Sequence, residues 1–296
     1  MEVGIGRSMT PVEPAFGVRR ATIALTIVLV AVACGRATSE SSRGDAGPSA
    51  GCRSGNLPAL DGERRELDGR GYLIDAPAAP ADEPLPLVLA FHGFRGSPGD
   101  LRGGTGLSQL AQQERFVAVY PAGHEGVELL GTTGRGWDLR PDQTRDRDFV
   151  VALLDRLENE RCIDQHRIFA TGMSNGGFFS SLLGCQLPAR LAAVAPVAGA
   201  VKLDGCSSTR PVPIMLMYGS RDPVVPPEMV SGAVTWWVDH NGCRSSASTD
   251  GCTRWSGCAA EVIACEGTQG HMWPFDATDR IWRFFLAQSP RRAGFD

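Results

Sequence analysis

The pentapeptide Gly172-Met173-Ser174-Asn175-Gly176 joins an apolar run, Arg167-Ile168-Phe169-Ala170-Thr171, to a helix-forming stretch, Gly177 to Cys185. A strand, a Gly-x-Ser-x-Gly turn and a helix together lift a serine hydroxyl above the edge of a sheet. The flanking glycines are required because the turn is too tight for a Cβ beside the serine. A serine hydroxyl is a poor nucleophile at neutral pH and needs a base, which in turn needs an orienting carboxylate. Two histidines follow Ser174, namely His240 and His271. His240 ends an expected helix, where a surface cation is the ordinary explanation. His271 lies in a Gly-flanked loop, Gly267 to Pro274, and is the candidate base. Asp222 follows the apolar run Pro213 to Tyr218 in the turn Gly219-Ser220-Arg221-Asp222-Pro223 and is the candidate carboxylate. Asp239 (mid-helix), Asp250 (in a polar loop) and Asp276 (beyond the histidine) are poorer placed. The chemistry of Ser174, Asp222 and His271 together would be acyl transfer through a covalent intermediate. The oxyanion of such a reaction needs two N–H donors. Asn175, just after the serine, supplies one, and Phe94 in Phe91-His92-Gly93-Phe94 is the candidate for the other. His92 reads as a brace for that loop.

These residues need a frame that brings distant loops to one rim. Leu85 to Phe91 is a continuous apolar run, as expected of a strand covered on both faces. Further strands are expected at Phe116 to Tyr120, Leu191 to Ala198, Pro213 to Tyr218 and Ala260 to Cys265. Between them, helices are expected at Gly106 to Gln113, Asp148 to Arg161, Glu228 to Asn241 and Ala277 to Gln288. Strands alternating with helices imply an α/β fold, a mostly parallel central sheet with helices on both faces.

The N-terminus carries Arg19 and Arg20 ahead of an apolar stretch from Ala21 to Ala33. That stretch is shorter than the roughly 20 residues of a membrane span and fits an export signal. It ends at Ala31-Val32-Ala33-Cys34, so residues 1–34 are expected to be a lipoprotein-type signal with Cys34 as the lipidated residue. The alternative is ordinary cleavage nearby, with Cys34 removed. Residues 35–51, rich in Ser, Gly, Ala and charge, are expected to be a flexible linker, residues 52–290 one domain, and 291–296 a tail. Eight further cysteines, an even number in an exported chain, imply disulfides. Cys243, Cys252, Cys258 and Cys265 are expected to pair among themselves. No Cys-x-x-Cys or Cys-x-x-His spacing suggests a metal. A net charge of −4 with no basic block argues against nucleic acid as a partner.

The chain resembles the secreted esterase group of the α/β-hydrolases that contains feruloyl esterases and polyhydroxybutyrate depolymerases. The matching segments include Phe91-His92-Gly93-Phe94, Asp146-Arg147-Asp148-Phe149-Val150, Gly172-Met173-Ser174-Asn175-Gly176-Gly177, Asp222-Pro223-Val224-Val225-Pro226 and Gly270-His271-Met272-Trp273-Pro274. The resemblance implies a Ser174–Asp222–His271 triad and hydrolysis of acyl esters without metal or organic cofactor. The implied substrate is an ester linked to plant polysaccharide, or alternatively a short polyhydroxyalkanoate polyester. A non-catalytic surface protein on the same fold is the third reading. The implied membrane contact is only through a lipid anchor at Cys34. Trp137 and Trp273 are candidates for the substrate pocket, with a place in the core or rim as the alternative.

Overall fold

The structure is a computed structural model that describes residues 47–289 apart from 54, 130, 141 and 201. The expected signal segment, Cys34, linker residues 35–46 and the tail 291–296 lie outside the described residues. The chain runs β1 (Asn56–Leu57), β2 (Leu60–Leu67), β3 (Arg70–Ala76), β4 (Ala79–Pro80), β5 (Leu85–Phe91), α1 (Pro98–Thr105), α2 (Leu107–Glu114) and β6 (Val117–Pro121). It continues through the hairpin β7 (His124–Leu129) and β8 (Thr132–Gly136), then α3 (Arg145–Glu160), β9 (Ile163–Met173), α4 (Asn175–Gln186), β10 (Ala193–Val197) and β11 (Ile214–Gly219). Last come α5 (Pro227–His240), β12 (Ser245–Thr249), β13 (Cys252–Ser256), β14 (Val262–Gly267) and α6 (Ala277–Ala287).

One 10-stranded sheet dominates, in the order β12-β13-β14-β11-β10-β9-β5-β6-β3-β2. The strands from β14 to β6 pair in parallel, and the pairs beyond them at both edges are antiparallel. The parallel strands are apolar because both faces are covered. Leu85, Leu87 and Leu89 of β5 face a layer that includes Phe149 and Leu153 of α3, Phe179 and Leu183 of α4, and Trp237 of α5. Val88 and Ala90 face the opposite layer, with Ala111 of α2 and Ile281, Trp282 and Phe285 of α6. There the ring of Phe169 stacks on Phe285 with centroids 4.5 Å apart, and Phe116 on Trp282 at 4.2 Å. The central sheet is thus the mostly parallel, doubly covered one that the sequence implied.

The outermost strands, β2 and β12, carry no apolar run. The strand β2 is Leu-Asp-Gly-Glu-Arg-Arg-Glu-Leu, and every residue of β12 is exposed. Such charged or polar edge strands resist pairing with other chains, and the same composition hides them from pattern reading.

Two features correct or complete the sequence reading. Residues 47–51, expected to end the linker, are packed on the domain. Ser49 is buried, its N–H donates to the Ile163 carbonyl at 2.9 Å and its Oγ to the Arg161 carbonyl at 2.7 Å, and the Gly51 N–H donates to the Glu158 carbonyl. Backbone pairing secures this stretch although its composition is poor in apolar groups. The eight cysteines form Cys52–Cys162, Cys185–Cys206, Cys243–Cys258 and Cys252–Cys265. The last two are the internal pairing expected of that cluster.

Cys52–Cys162 closes a separation of 110 residues, against 13 for Cys252–Cys265. In the chain-entropy account the longer loop restrains the unfolded state by roughly 4 to 5 kcal/mol and the shorter by roughly 3. The double variant Cys52→Ser/Cys162→Ser is therefore expected to lose more unfolding free energy in urea than Cys252→Ser/Cys265→Ser. The reverse order would show that native-state contacts, not loop closure, set the contribution.

Candidate active site

β9 sits between β5 and β10 in the middle of the parallel sheet and ends at Met173. Ser174 follows at φ 55° and ψ −122°, a backbone conformation that costs a non-glycine residue about 1 to 3 kcal/mol. Its N–H donates to the Val197 carbonyl at 2.9 Å, and its carbonyl accepts the Phe178 N–H at 2.9 Å as α4 begins. The turn lies hard against the end of β5. A Cβ on Gly176 would lie 2.0 Å from the Phe91 carbonyl oxygen, and one on Gly172 would lie 2.4 Å from that of Gly176. Glycine is thus dictated by close approach at both places.

Two strands further along the sheet, β11 leads into the turn that carries Asp222. Its side chain has no accessible surface. Oδ1 accepts the N–H groups of Val224 at 2.8 Å and Val225 at 2.9 Å, and Oδ2 lies 2.7 Å from His271 Nδ1. Burial is the largest influence and pushes this carboxyl up. It is outweighed by the Val225 N–H, His271 and the Val224 N–H, which leave the pKa below the ordinary carboxylate range. An ionised acceptor at Oδ2 fixes the His271 proton on Nδ1. Nε2 is then free to accept, and it lies 2.8 Å from Ser174 Oγ. The His271 loop after β14 is stitched to the Asp222 turn by the Arg221 N–H on the Gln269 carbonyl and the Ser220 N–H on that of Gly267. Ser174, His271 and Asp222 thus form one continuous hydrogen-bonded chain at the carboxyl ends of β9, β14 and β11.

The loop after β5 covers the other side of the serine. A Cβ on Gly93 would lie 3.4 Å from Ser174 Cβ, so this loop touches the nucleophile's own side chain. The next N–H, that of Phe94, makes no hydrogen bond to another described residue. Asn175 opens α4, so its N–H has no intrahelical acceptor. His92 is buried and braced at both nitrogens. Nε2 accepts the Gly123 N–H at 2.9 Å, which leaves Nδ1 to donate to the Gly93 carbonyl at 2.7 Å. Burial drives its pKa down, consistent with a neutral ring. His92 therefore holds the loop.

Of the two pocket candidates, Trp137 is fully buried and packs in the core. It stands behind a cavity of about 600 Å³ that is also walled by His124, Leu139, Arg140 and Asn175. Trp273 is partly buried against the α6 side of the core, with Nε1 donating to Thr278 Oγ1 at 3.0 Å. Pattern reading missed the exposed side chains around the Asp222 and His271 loops: Val224, Met272 and Phe275, the last fully exposed. Their position next to the two loop residues was the available signal.

A model of the esterase PHB depolymerase family matches residues 70–236, more than half of the 296-residue chain. The chain belongs to this esterase family. The match includes Ser174 and Asp222 but stops short of His271, whose place in the site rests on the geometry. Among its relatives, the bifunctional acetylxylan esterase/xylanase XynS20E of Neocallimastix patriciarum is 32% identical over 189 residues, 64% of this chain and 27% of that protein. Feruloyl esterase C of Emericella nidulans is 29% identical over 265 residues, covering 81% of this chain and 91% of that one. The chain thus spans about a quarter of the first relative and most of the second. The acetyl xylan esterase of Aspergillus awamori shares the α/β-hydrolase fold, with a TM-score of 0.58 at 16% identity over 79% of this chain and 99% of that one.

A carboxyl held below its ordinary pKa stabilises the fold above the unfolded value, about pH 4, and that contribution is lost as pH falls through the folded value. Asp222→Asn is therefore expected to be less stable than the wild type near neutrality, with the gap narrowing below about pH 4. Urea unfolding across that range reads this directly, and a gap that stays constant would show that the charge of Asp222 contributes nothing.

Proposed function

We propose that the protein is an exported serine esterase in which Ser174, His271 and Asp222 act as a triad. The observation that carries this reading is the unbroken hydrogen-bonded chain from Ser174 Oγ through His271 to Asp222 Oδ2. Ser174 Oγ attacks the ester carbonyl carbon while its proton passes to His271 Nε2, and the carbonyl oxygen becomes an oxyanion. The N–H groups of Phe94 and Asn175 receive that charge. Such donors are worth on the order of 10²–10³ in turnover each. Asp222 holds the imidazole tautomer and stabilises the imidazolium that forms. His271 then gives the proton to the leaving alcohol oxygen as the C–O bond breaks, and an acyl-enzyme remains. Water, activated by the same imidazole, attacks it and frees the acid. No step calls for a metal or an organic cofactor.

The substrate reading is a feruloyl or acetyl ester of plant polysaccharide, supported by relatives described as feruloyl and acetylxylan esterases. A second reading, a polyhydroxyalkanoate depolymerase, draws support from the family match and from exposed Val224, Met272 and Phe275 beside the site. Export is supported by four disulfides, which suit an oxidising compartment, and by the signal-like N-terminus. Lipidation at Cys34 would hold the enzyme at a membrane surface.

The test is product release from methyl ferulate, acetylated xylan and short 3-hydroxybutyrate oligomers, with Ser174→Ala as control. Release of ferulate or acetate, abolished in the variant, is the expected result. Release from the oligomers alone would favour the depolymerase reading. Hydrolysis that survives in Ser174→Ala would remove Ser174 from the mechanism.

A further inference from the structure

The two oxyanion N–H groups of the proposed mechanism come from segments that are far apart in sequence, the loop at residues 92–94 and the start of α4 at residue 175. Their separation must be held to a fraction of an ångström if both are to reach one oxygen. Trp137 hydrogen-bonds to both segments. Trp137 donates its main-chain N–H to Asn175 Oδ1 at 2.7 Å, and its carbonyl accepts Asn175 Nδ2 at 3.1 Å. Its indole Nε1 donates to the His92 carbonyl at 2.9 Å. All three polar atoms of Trp137 are thus committed to the two donor-bearing segments.

Packing leaves this residue little room. Its ring stacks on Phe179 of α4 at 4.8 Å and 8°, and meets Phe91 of β5 edge-on at 5.0 Å. A Cβ on the preceding Gly136 would lie 2.8 Å from Asn175 Oδ1. The following residue is fixed as well. The Asp138 N–H donates at 2.7 Å to Oδ2 of the buried Asp146, whose Oδ1 accepts Arg70 Nη1 at 2.7 Å and lies 3.1 Å from His124 Nδ1. Arg70 in turn donates to the Ala122 carbonyl, next to the Gly123 whose N–H holds His92. The bridge is therefore anchored at both ends in buried, charged or hydrogen-bonded groups.

We infer that Trp137 is the positioning residue of the oxyanion hole: it fixes the distance between the Phe94 and Asn175 donors by gripping His92 with its indole and Asn175 with its backbone. This rests on the esterase reading. The side chain of Asn175 shares the role, so the residue after the nucleophile contributes twice, with its N–H to the oxyanion and with its amide to the bridge. A tryptophan that only filled the core would leave turnover per folded molecule untouched when replaced by another large aromatic.

The test uses Trp137→Phe, which keeps an aromatic ring and removes the indole donor, and Asn175→Ala, which keeps the backbone N–H and removes the amide grip. Active sites are titrated with a fluorophosphonate, and kcat per titrated site is measured on p-nitrophenyl acetate. Inhibition by a trifluoromethyl ketone, which becomes a tetrahedral oxyanion on Ser174, is measured alongside. The expected result is a kcat per site lowered roughly 10- to 100-fold in each variant, with KM changed little and the inhibitor weakened in step. The double variant should lose less than the product of the single losses, because both act through one bridge. If Trp137→Phe does not fold, Asn175→Ala carries the same readout alone. An unchanged kcat per titrated site, or a loss in kcat with full inhibitor affinity, would overturn the inference. A wild type that neither cleaves esters nor is labelled at Ser174 would overturn the esterase reading, and the inference with it.

Discussion

The structure depends on the contact between the Ser174 turn and the ends of its neighbouring strands. Ser174 is held at a positive φ that its side chain disfavours, and nothing in the pentapeptide alone would keep it there. The strain persists because the turn is wedged on three sides. Gly176 lies against the Phe91 carbonyl of β5, Gly177 against the Val197 and Gly199 carbonyls after β10, and Gly199 against the Ser174 carbonyl itself. The parallel sheet and its two apolar layers supply the packing that maintains this wedge. Reshaping either strand end would let the serine relax into an ordinary helical start and withdraw its hydroxyl from His271.

The same sheet solves the electrostatic problem. A buried carboxylate next to an imidazole is unfavourable unless its lone pairs are taken up. Asp222 meets that condition with two backbone N–H groups and one ring nitrogen, all supplied by its own turn and by the loop after β14. β11 and β14 run parallel and adjacent, so their carboxyl ends deliver these loops side by side. The disulfide Cys252–Cys265 ties β14 to its edge hairpin a few residues before His271. On the opposite flank, a chain of hydrogen bonds from Asp146 through Trp137 to His92 and Asn175 does the corresponding work for the backbone donors.

What the sequence revealed follows from how local each signal is. The Ser174 turn was readable because strand, glycines and helix fall within about twenty residues, and Asp222 and His271 because each closely follows an apolar strand. The parallel core was readable from continuous apolar runs such as Leu85 to Phe91. The strands β2, β12 and β13 were not, because they are half solvated or exposed and their charged or small polar residues carry no burial pattern. The strand β3, paired on both sides and largely buried, was missed because its apolar stretch Tyr72-Leu73-Ile74 is short and ends at Asp75. The disulfide partners Cys52 and Cys162, and Cys185 and Cys206, were not readable from spacing. Trp137 was open between pocket and core for the same reason: its hydrogen-bond partners lie 45 and 38 residues away. Its three-way contact exists only once β5, β8 and α4 have been brought together.

The central claim is that Ser174 becomes covalently acylated during turnover. The direct measurement is acid quench of the wild-type enzyme during steady hydrolysis of a p-nitrophenyl ester, followed by peptide mapping for the acyl mass. The account predicts an acyl group on the peptide that contains Ser174, on that serine, and a yellow burst of p-nitrophenolate in step with its formation. Sustained turnover with no acyl group on Ser174, or with the acyl group on another residue, would contradict it.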